Sequence, residues 1–233
     1  MNLAFLGQVR SLRAPIRLVQ SVTGTGATLV LNNVVAGNTL ICTDSYFRTP
    51  SNGIAASTPT DSNGTLSIAS ADVPATFTGG AVDDIGVGIW VEGNAAAGTH
   101  TVTPQALSSH FGTLAEYSGL TASPFDVAKS AVTNNGSQTS QVTGTTAATA
   151  QAQELVVIGL CLAAASGVTN VGLTDPVSGF TTLQVQLNDS TGLAGMHAFK
   201  IISATGTQSA TFNWTDSEAN QGSHGAIATF KDA

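Results

Sequence analysis

Four histidines are the first candidates for chemistry in this sequence: His100, His110, His197 and His224. No two of them are close in the chain, so no pair has the spacing of a metal-ligating motif. His224 follows Ser223, and a Ser/His/Asp site could be assembled in space from such pieces. The motifs GxSxG, HExxH, CxxC and the Walker loop are all missing. We therefore expect hydrogen-bonded histidines without a catalytic role, and no enzyme.

Acidic residues supply two candidate calcium sites. Asp83 and Asp84 are adjacent, and Ca²⁺ takes six to eight oxygen ligands. The run DSNG at 61–64 resembles the start of a calcium loop, but its glycine is not at the sixth position. Adjacent carboxylates also cannot face each other across a sugar, as the carboxyl groups of a glycosidase do. Solvated loops and turns are the favoured interpretation, and neither a metal nor a cofactor is expected.

Two cysteines and one aromatic pair complete the candidates. Cys42 and Cys161 lie in the apolar runs TLICT and VIGLCLAAA, without a His or Cys at ligand spacing. The sequence predicts buried free thiols, and a single disulfide is the alternative. Tyr46 and Phe47 precede the loop RTPSNGIAASTPTDSNG, so they are the best candidates for exposed aromatic side chains that stack on a sugar.

The composition excludes several classes of partner. Only 9% of the 233 residues are charged, against about 25% in an ordinary soluble domain, and the net charge is −7. A nucleic acid is excluded because phosphate binding needs several Lys or Arg on one surface. No apolar run approaches about 18–20 residues, so no membrane contact is predicted. The start MNLAFLGQVR lacks the basic and long apolar regions of a secretory signal, which indicates synthesis in the cytoplasm.

The few basic residues are unevenly placed. Arg10, Arg13 and Arg17 lie within eight positions, and no acidic residue precedes Asp44. Residues 1–18 are therefore interpreted as a basic, extended N-terminal arm. Such an arm could reach a neighbouring subunit, where arginines pair with carboxylates. A disordered tail is the alternative.

Strand patterns dominate the rest of the chain. Short runs rich in Val, Ile, Thr and aromatic residues are bounded by Gly, Asn, Asp and Ser. In 85–91, the residues Ile85, Val87, Ile89 and Val91 share one face of a strand, and Trp90 lies on the other. In 207–214, the alternating Ala, Phe and Trp side chains share one face. Both patterns predict strands with at least one buried face.

The order of these segments repeats once, over residues 17–120 and 126–231. The series NTLICT, TDSNGTL, GVGIWVEG and GTLAEY corresponds to ELVVIG, TDPVSGFTTL, GMHAFKII and GAIATF. We therefore predict an all-β fold, a two-sheet antiparallel β-sandwich of jelly-roll type, built from an internally duplicated unit over residues 19–233. Two tandem sandwiches are the alternative.

The combination GIWV, GTHTVT and AEYSGL, followed by a degenerate second copy, resembles a β-sandwich module of bacteriophage virion structural proteins, which also occurs in bacterial surface proteins. The resemblance implies a non-enzymatic virion protein, either a capsid decoration (cement) protein or a tail or fibre component. Its partners would be major capsid or tail proteins and further copies of itself, in a homo-oligomer. The interface candidates are Arg10, Arg13, Arg17, Tyr46 and Phe47. A carbohydrate-binding or adhesin module that recognises a host glycan is the alternative.

Overall fold

The computed structural model describes residues 14–26, 28–48, 58–69, 75–78, 82–104, 109–133, 138–164, 172–174, 177–186, 193–215 and 221–233. These residues form sixteen strands: β1 (Arg17–Gly24), β2 (Leu29–Val34), β3 (Thr39–Arg48), β4 (Thr60–Asp61), β5 (Ser67–Ile68), β6 (Ala75–Thr78), β7 (Val82–Glu92), β8 (Gly98–Thr103), β9 (Ser109–Ser118), β10 (Leu120–Thr133), β11 (Ser140–Val142), β12 (Gln153–Ala164), β13 (Thr181–Gln186), β14 (Leu193–Ser203), β15 (Thr211–Asn213) and β16 (Gln221–Asp232). Within this described part of the chain, no helix has the length and apolar character needed to cross a membrane.

The strands form two large and two small sheets, and every pairing between them is antiparallel. The first large sheet has the order β1-β9-β3-β7-β5, with β6 also paired to β7. The first small sheet is β2-β8-β4. The second large sheet has the order β10-β16-β12-β14-β13, and the second small sheet is β11-β15.

Three hydrophobic cores separate these sheets into four layers. The central core lies between the two large sheets, and Ile41 and Val87 of the first meet Val157 and Phe230 of the second there. A second core lies between each large sheet and its own small sheet. Each large sheet is therefore buried on both faces, which explains why runs such as ELVVIGLCL are continuously apolar instead of alternating.

The predicted all-β antiparallel class is confirmed. The sequence predicted two sheets, whereas the described residues form four, because apolar side chains on both faces of the central strands each need a covering layer. Internal duplication and jelly-roll connectivity stay predictions. The two large sheets nevertheless use their strands in the same relative order.

Strand β7 has the two apolar faces that its sequence predicts. Its residues Ile85, Val87, Ile89 and Val91 belong to the central core, while Trp90 belongs to the core beneath the first small sheet. The glycines on the Trp90 face make room for large rings. A Cβ at position 86 would lie 2.2 Å from the Tyr46 hydroxyl oxygen. One at position 88 would overlap the Trp90 ring.

A single residue, Gly119, joins the two halves of the chain. Strand β9 ends just before it and β10 begins just after it. Its φ of +80° lies in the left-handed region that favours glycine, and a Cβ there would lie 2.7 Å from the Pro15 carbonyl oxygen. The Gly119 carbonyl accepts a hydrogen bond of 3.0 Å from the Ala233 amide. The base of the N-terminal arm, the junction and the C-terminus therefore meet at one point.

Candidate functional site

The predicted interface residues lie in very different surroundings. Arg10 and Arg13 fall outside the described residues. Arg17 is exposed and begins β1. Phe47 belongs to β3, where only its backbone is described. Tyr46 is 0% exposed, so the expectation of an exposed Tyr46 is wrong.

The burial of Tyr46 follows from its position within β3. Tyr46 pairs with Gly86 of β7, and its ring fills the space that a side chain at 86 would take. It lies in the core beneath the first small sheet, together with Cys42. The sequence suggested exposure because a loop follows closely. The strand instead continues through Arg48, and strand alternation turns Tyr46 inward.

Both cysteines are buried thiols that form no disulfide, as predicted. Cys42 belongs to the core beneath the first small sheet and Cys161 to the central core. Burial, followed by the charges of Asp44 and Asp61, raises the pKa of Cys42 well above its usual value. Because the thiolate is the nucleophile and the metal ligand, this raised pKa disfavours both roles for Cys42.

His197 is the centre of a buried polar network between the two large sheets. Its Nε2 is 2.9 Å from Ser45 Oγ, which donates to the Leu160 carbonyl at 3.0 Å. Its Nδ1 is 2.9 Å from Thr113 Oγ1, and its ring stacks on Phe111 with centroids 4.8 Å apart. Burial lowers the pKa of His197 to about 3. The contact has the residue types of a nucleophile and its base, but both side chains are fully buried and out of reach of a substrate.

The two remaining histidines outside the first small sheet also have structural partners. His224 accepts a hydrogen bond of 2.9 Å at Nδ1 from the Val87 amide of the opposite large sheet. Burial lowers the pKa of His224 to about 4. His110 Nδ1 lies 3.2 Å from Asp44 Oδ1. Its hydrogen bond to this carboxylate raises the pKa of His110, while burial raises the pKa of Asp44.

One cluster in the described residues combines a histidine with two carboxylates. We call Asp61, Glu92 and His100 the acidic-histidine cluster, whose potential ligand atoms all lie within 4.8 Å of one another. Asp61 ends β4 and His100 lies in the neighbouring strand β8, both in the first small sheet. Glu92 ends β7 of the first large sheet. The cluster therefore connects two layers of the fold.

Short polar contacts define the histidine side of this cluster. His100 Nδ1 is 2.5 Å from Asp61 Oδ2, and both side chains are 0% exposed. His100 Nε2 is 3.0 Å from the Ala96 carbonyl oxygen. Asp61 Oδ1 also accepts a hydrogen bond of 3.3 Å from the Asn63 amide, so the predicted turn is present. Asp61 thus uses one carboxylate oxygen to stabilise the turn and the other to contact His100.

Glu92 is the unusual member of the cluster. It is only 8% exposed, and its Oε2 atom has no hydrogen-bond partner. Burial, followed by the charge of Asp61, raises the pKa of Glu92. Gly64 lies directly against this carboxylate, since a Cβ there would lie 2.0 Å from Oε2. The side chain is therefore confined inside the cluster.

Sequence reasoning found only part of this cluster. It interpreted Asp61 as a turn residue and His100 as an ordinary histidine, and it did not single out Glu92. The three positions come together only through the pairing of β4 with β8 and the packing of β7 beneath them. Asp83 and Asp84 lie in strand β7 and not in the predicted loop, and their side chains are outside the described set.

Comparisons with known proteins do not add a relative. No family model, curated protein or solved structure matches this chain.

Proposed function

We propose that this chain is a non-enzymatic structural protein of a bacteriophage virion, a capsid decoration protein or a tail or fibre component. It would dock on major capsid or tail proteins through its N-terminal arm and loops, as a homo-oligomer. The observation that carries the proposal is the fixed base of the arm. Ile16 is buried in the central core, and the Pro15 carbonyl packs against Gly119.

An arm with a fixed base can hold a partner in a defined position. The chain passes from this base directly into β1, which is the outermost strand of the first large sheet. Among the described residues, β1 pairs with β9 on one side only. Arg17 is exposed and Val19 is 47% exposed along this strand. An unpaired strand edge with an apolar side chain and a cation suits the addition of a strand from a neighbouring subunit.

The four-layer architecture also supports a structural role. Two large sheets buried on both faces give a stiff body, because packed interiors have low compressibility. The low charge of the chain leaves Ser, Thr, Asn and backbone groups to form its surface. The carbohydrate-binding alternative has lost its main support, since Tyr46 lies inside the protein.

The direct test is incorporation into particles. We expect mass spectrometry of purified phage particles to detect the full chain. Hundreds of copies would place it on the capsid, and a few to a dozen would place it in the tail. Deleting residues 1–13 should reduce its copy number at least tenfold, while the shortened chain still unfolds cooperatively because Ile16 and β1 are retained.

Charge-removing variants separate the arginines from the rest of the arm. Arg10→Gln combined with Arg13→Gln should reduce incorporation. Lys129→Gln is the matched control, since this lysine lies in β10 and outside the arm. Unchanged copy number after the deletion would contradict docking by the arm, and absence of the chain from particles would contradict the virion assignment.

A further inference from the structure

The geometry points to a binding site for a divalent transition-metal ion, Zn²⁺ or an ion of similar preference, formed by His100, Asp61 and Glu92. This proposal does not depend on the virion role. Three side chains from β4, β7 and β8 converge there, and their potential ligand atoms lie within 4.8 Å of one another. Imidazole nitrogen and carboxylate oxygen are ligands that Zn²⁺ accepts together.

The Nε2 side of His100 is hydrogen-bonded as it is in a metal-ligating histidine. A carbonyl oxygen only accepts hydrogen bonds, so the contact with Ala96 places a proton on Nε2. A ligating histidine typically donates its other N–H to a carbonyl or carboxylate in this way. Nδ1 faces the Asp61 carboxylate, which also only accepts, so a proton lies between these two atoms when no ion is bound. A metal ion would take the place of this proton on Nδ1 and release it to solvent.

Glu92 supplies the second and independent observation. It is more than nine-tenths buried, its Oε2 has no hydrogen-bond partner, and it lies among the ligand atoms of the cluster. An unpaired buried carboxylate oxygen is costly, and here a second carboxylate, that of Asp61, lies within 4.8 Å of it. A divalent cation would satisfy both carboxylates at once.

The distances allow an ion after a small adjustment. Two ligand atoms that bind one Zn²⁺ at about 2.0–2.2 Å lie roughly 3.4 Å apart in a tetrahedral site. His100 Nδ1 and Asp61 Oδ2, at 2.5 Å, must therefore separate by about 1 Å. An open groove of about 320 Å³ borders Asp61 and is lined also by Thr58, Thr60 and Thr65. The side chains of Asp61 and His100 are themselves 0% exposed, so the same adjustment must open the cluster towards this groove to admit the ion and a water ligand.

Such an ion would join two layers of the fold. Asp61 and His100 belong to the first small sheet, whereas Glu92 belongs to the first large sheet. β4 has only two residues, so backbone pairing alone holds it weakly. The metal would fix this short strand and the turn after it on the large sheet. We therefore expect metal binding to stabilise the folded chain.

The test is titration of the chelator-treated full chain with Zn²⁺, followed by calorimetry. We expect one site per chain, and a rise in Tm of about 5–10 °C at a hundredfold excess over Kd. Co²⁺ should bind the same site and give visible absorption bands of a nitrogen- and oxygen-ligated ion. Glu92→Gln should weaken Zn²⁺ binding at least tenfold and remove the Tm shift. Asp61→Asn is made in parallel, so that the result does not depend on the folding of one variant.

Glu154→Gln is the matched control. Glu154 is also a buried glutamate with an unpartnered Oε2, but it lies on β12 in the second large sheet. This variant should keep Zn²⁺ binding unchanged. The proposal would be overturned if the folded chain bound neither Zn²⁺ nor Co²⁺ at one site, or bound only Ca²⁺ or Mg²⁺. Equal Zn²⁺ affinity in Glu92→Gln, Asp61→Asn and the parent chain would overturn it as well.

Discussion

His197, His224 and His110 differ in the groups that their ring nitrogens contact. His197 and His224 lie in the interface between the large sheets, among hydroxyl and backbone groups. His110 lies against the carboxylate of Asp44. Burial lowers the pKa of the first two, whereas the hydrogen bond to Asp44 raises the pKa of His110. Their contributions to stability therefore have opposite pH dependence.

The pH dependence of His224 can be predicted with its sign. Its pKa is about 4 in the folded state and about 6.5 in the unfolded state, so the unfolded chain binds more protons between these values. The stability that the neutral ring contributes is complete above about pH 6.5 and is lost as the pH falls towards 4. Between pH 7 and pH 5, the protonation of His224 should lower the free energy of unfolding by about 2 kcal/mol. Protonation would also remove the hydrogen bond from the Val87 amide.

Urea unfolding at pH 7 and pH 5 measures this effect. His224→Gln keeps an acceptor for the Val87 amide but cannot titrate, so this variant should lose less stability on acidification than the parent chain. His110→Gln is the comparison variant, and its expected change in acid stability has the opposite sign. The stability from the His110–Asp44 pair is present below about pH 6.5 and lost at higher pH, so this variant should lose more on acidification. If the free energy of unfolding changed equally between pH 7 and pH 5 in the parent chain and both variants, the roles given to His224 and His110 would be contradicted.

Side-chain types alone predicted some of these sites and not others. Buried thiols were predictable because each cysteine lies in an apolar run. The acidic-histidine cluster was not, because Asp61 and Glu92 come together across two layers that no local pattern records. Tyr46 was misjudged for a related reason: its burial depends on Gly86, forty positions away and directly opposite in the sheet.

At the scale of the element, the faces of strands were predictable while the number of layers was not. Alternation in β7 and around β15 gave the correct inward residues, including Phe212 and Trp214. A strand with two apolar faces shows that both of its faces are covered. The residue pattern is the same whether the covering layer is a large sheet, a small sheet or a loop. The arrangement of two large sheets around a shared core is therefore a property of the packing, which the sequence of a single strand does not record.

The junction between β9 and β10 gives a prediction at this scale. Gly119→Ala should destabilise the chain by about 2–4 kcal/mol, because an L-residue strains the left-handed backbone and its Cβ meets the Pro15 carbonyl. Gly179→Ala is the matched control. Gly179 has a similar φ of +78°, but nothing lies within 4 Å of its Cβ position, so only about 1 kcal/mol is expected. If chemical unfolding showed that both variants lose the same free energy of unfolding, the contact with Pro15 would contribute nothing to the cost.

At the scale of the molecule, the central core makes the two halves dependent on each other. Residues before Gly119 supply one wall of this core and residues after it supply the other. Hydrogen bonds also cross the interface, from Ser45 to the Leu160 carbonyl and from the Val87 amide to His224. Separating the halves would expose the apolar wall of each large sheet to water and leave these polar groups without partners.

We therefore predict that residues 1–119 and 120–233, expressed separately, will each fail to give a cooperative unfolding transition and will aggregate. Co-expression should recover a 1:1 complex, because the apolar area of the central core is buried again and the antiparallel sheets need no covalent connection at Gly119. Size-exclusion chromatography with light scattering and thermal unfolding checks both statements, and the intact chain should unfold in a single transition. If either half alone were monomeric with its own cooperative transition, the fold would be two independent sandwiches that merely touch. In that case the cores beneath the small sheets, and not the central core, would supply most of the free energy of unfolding.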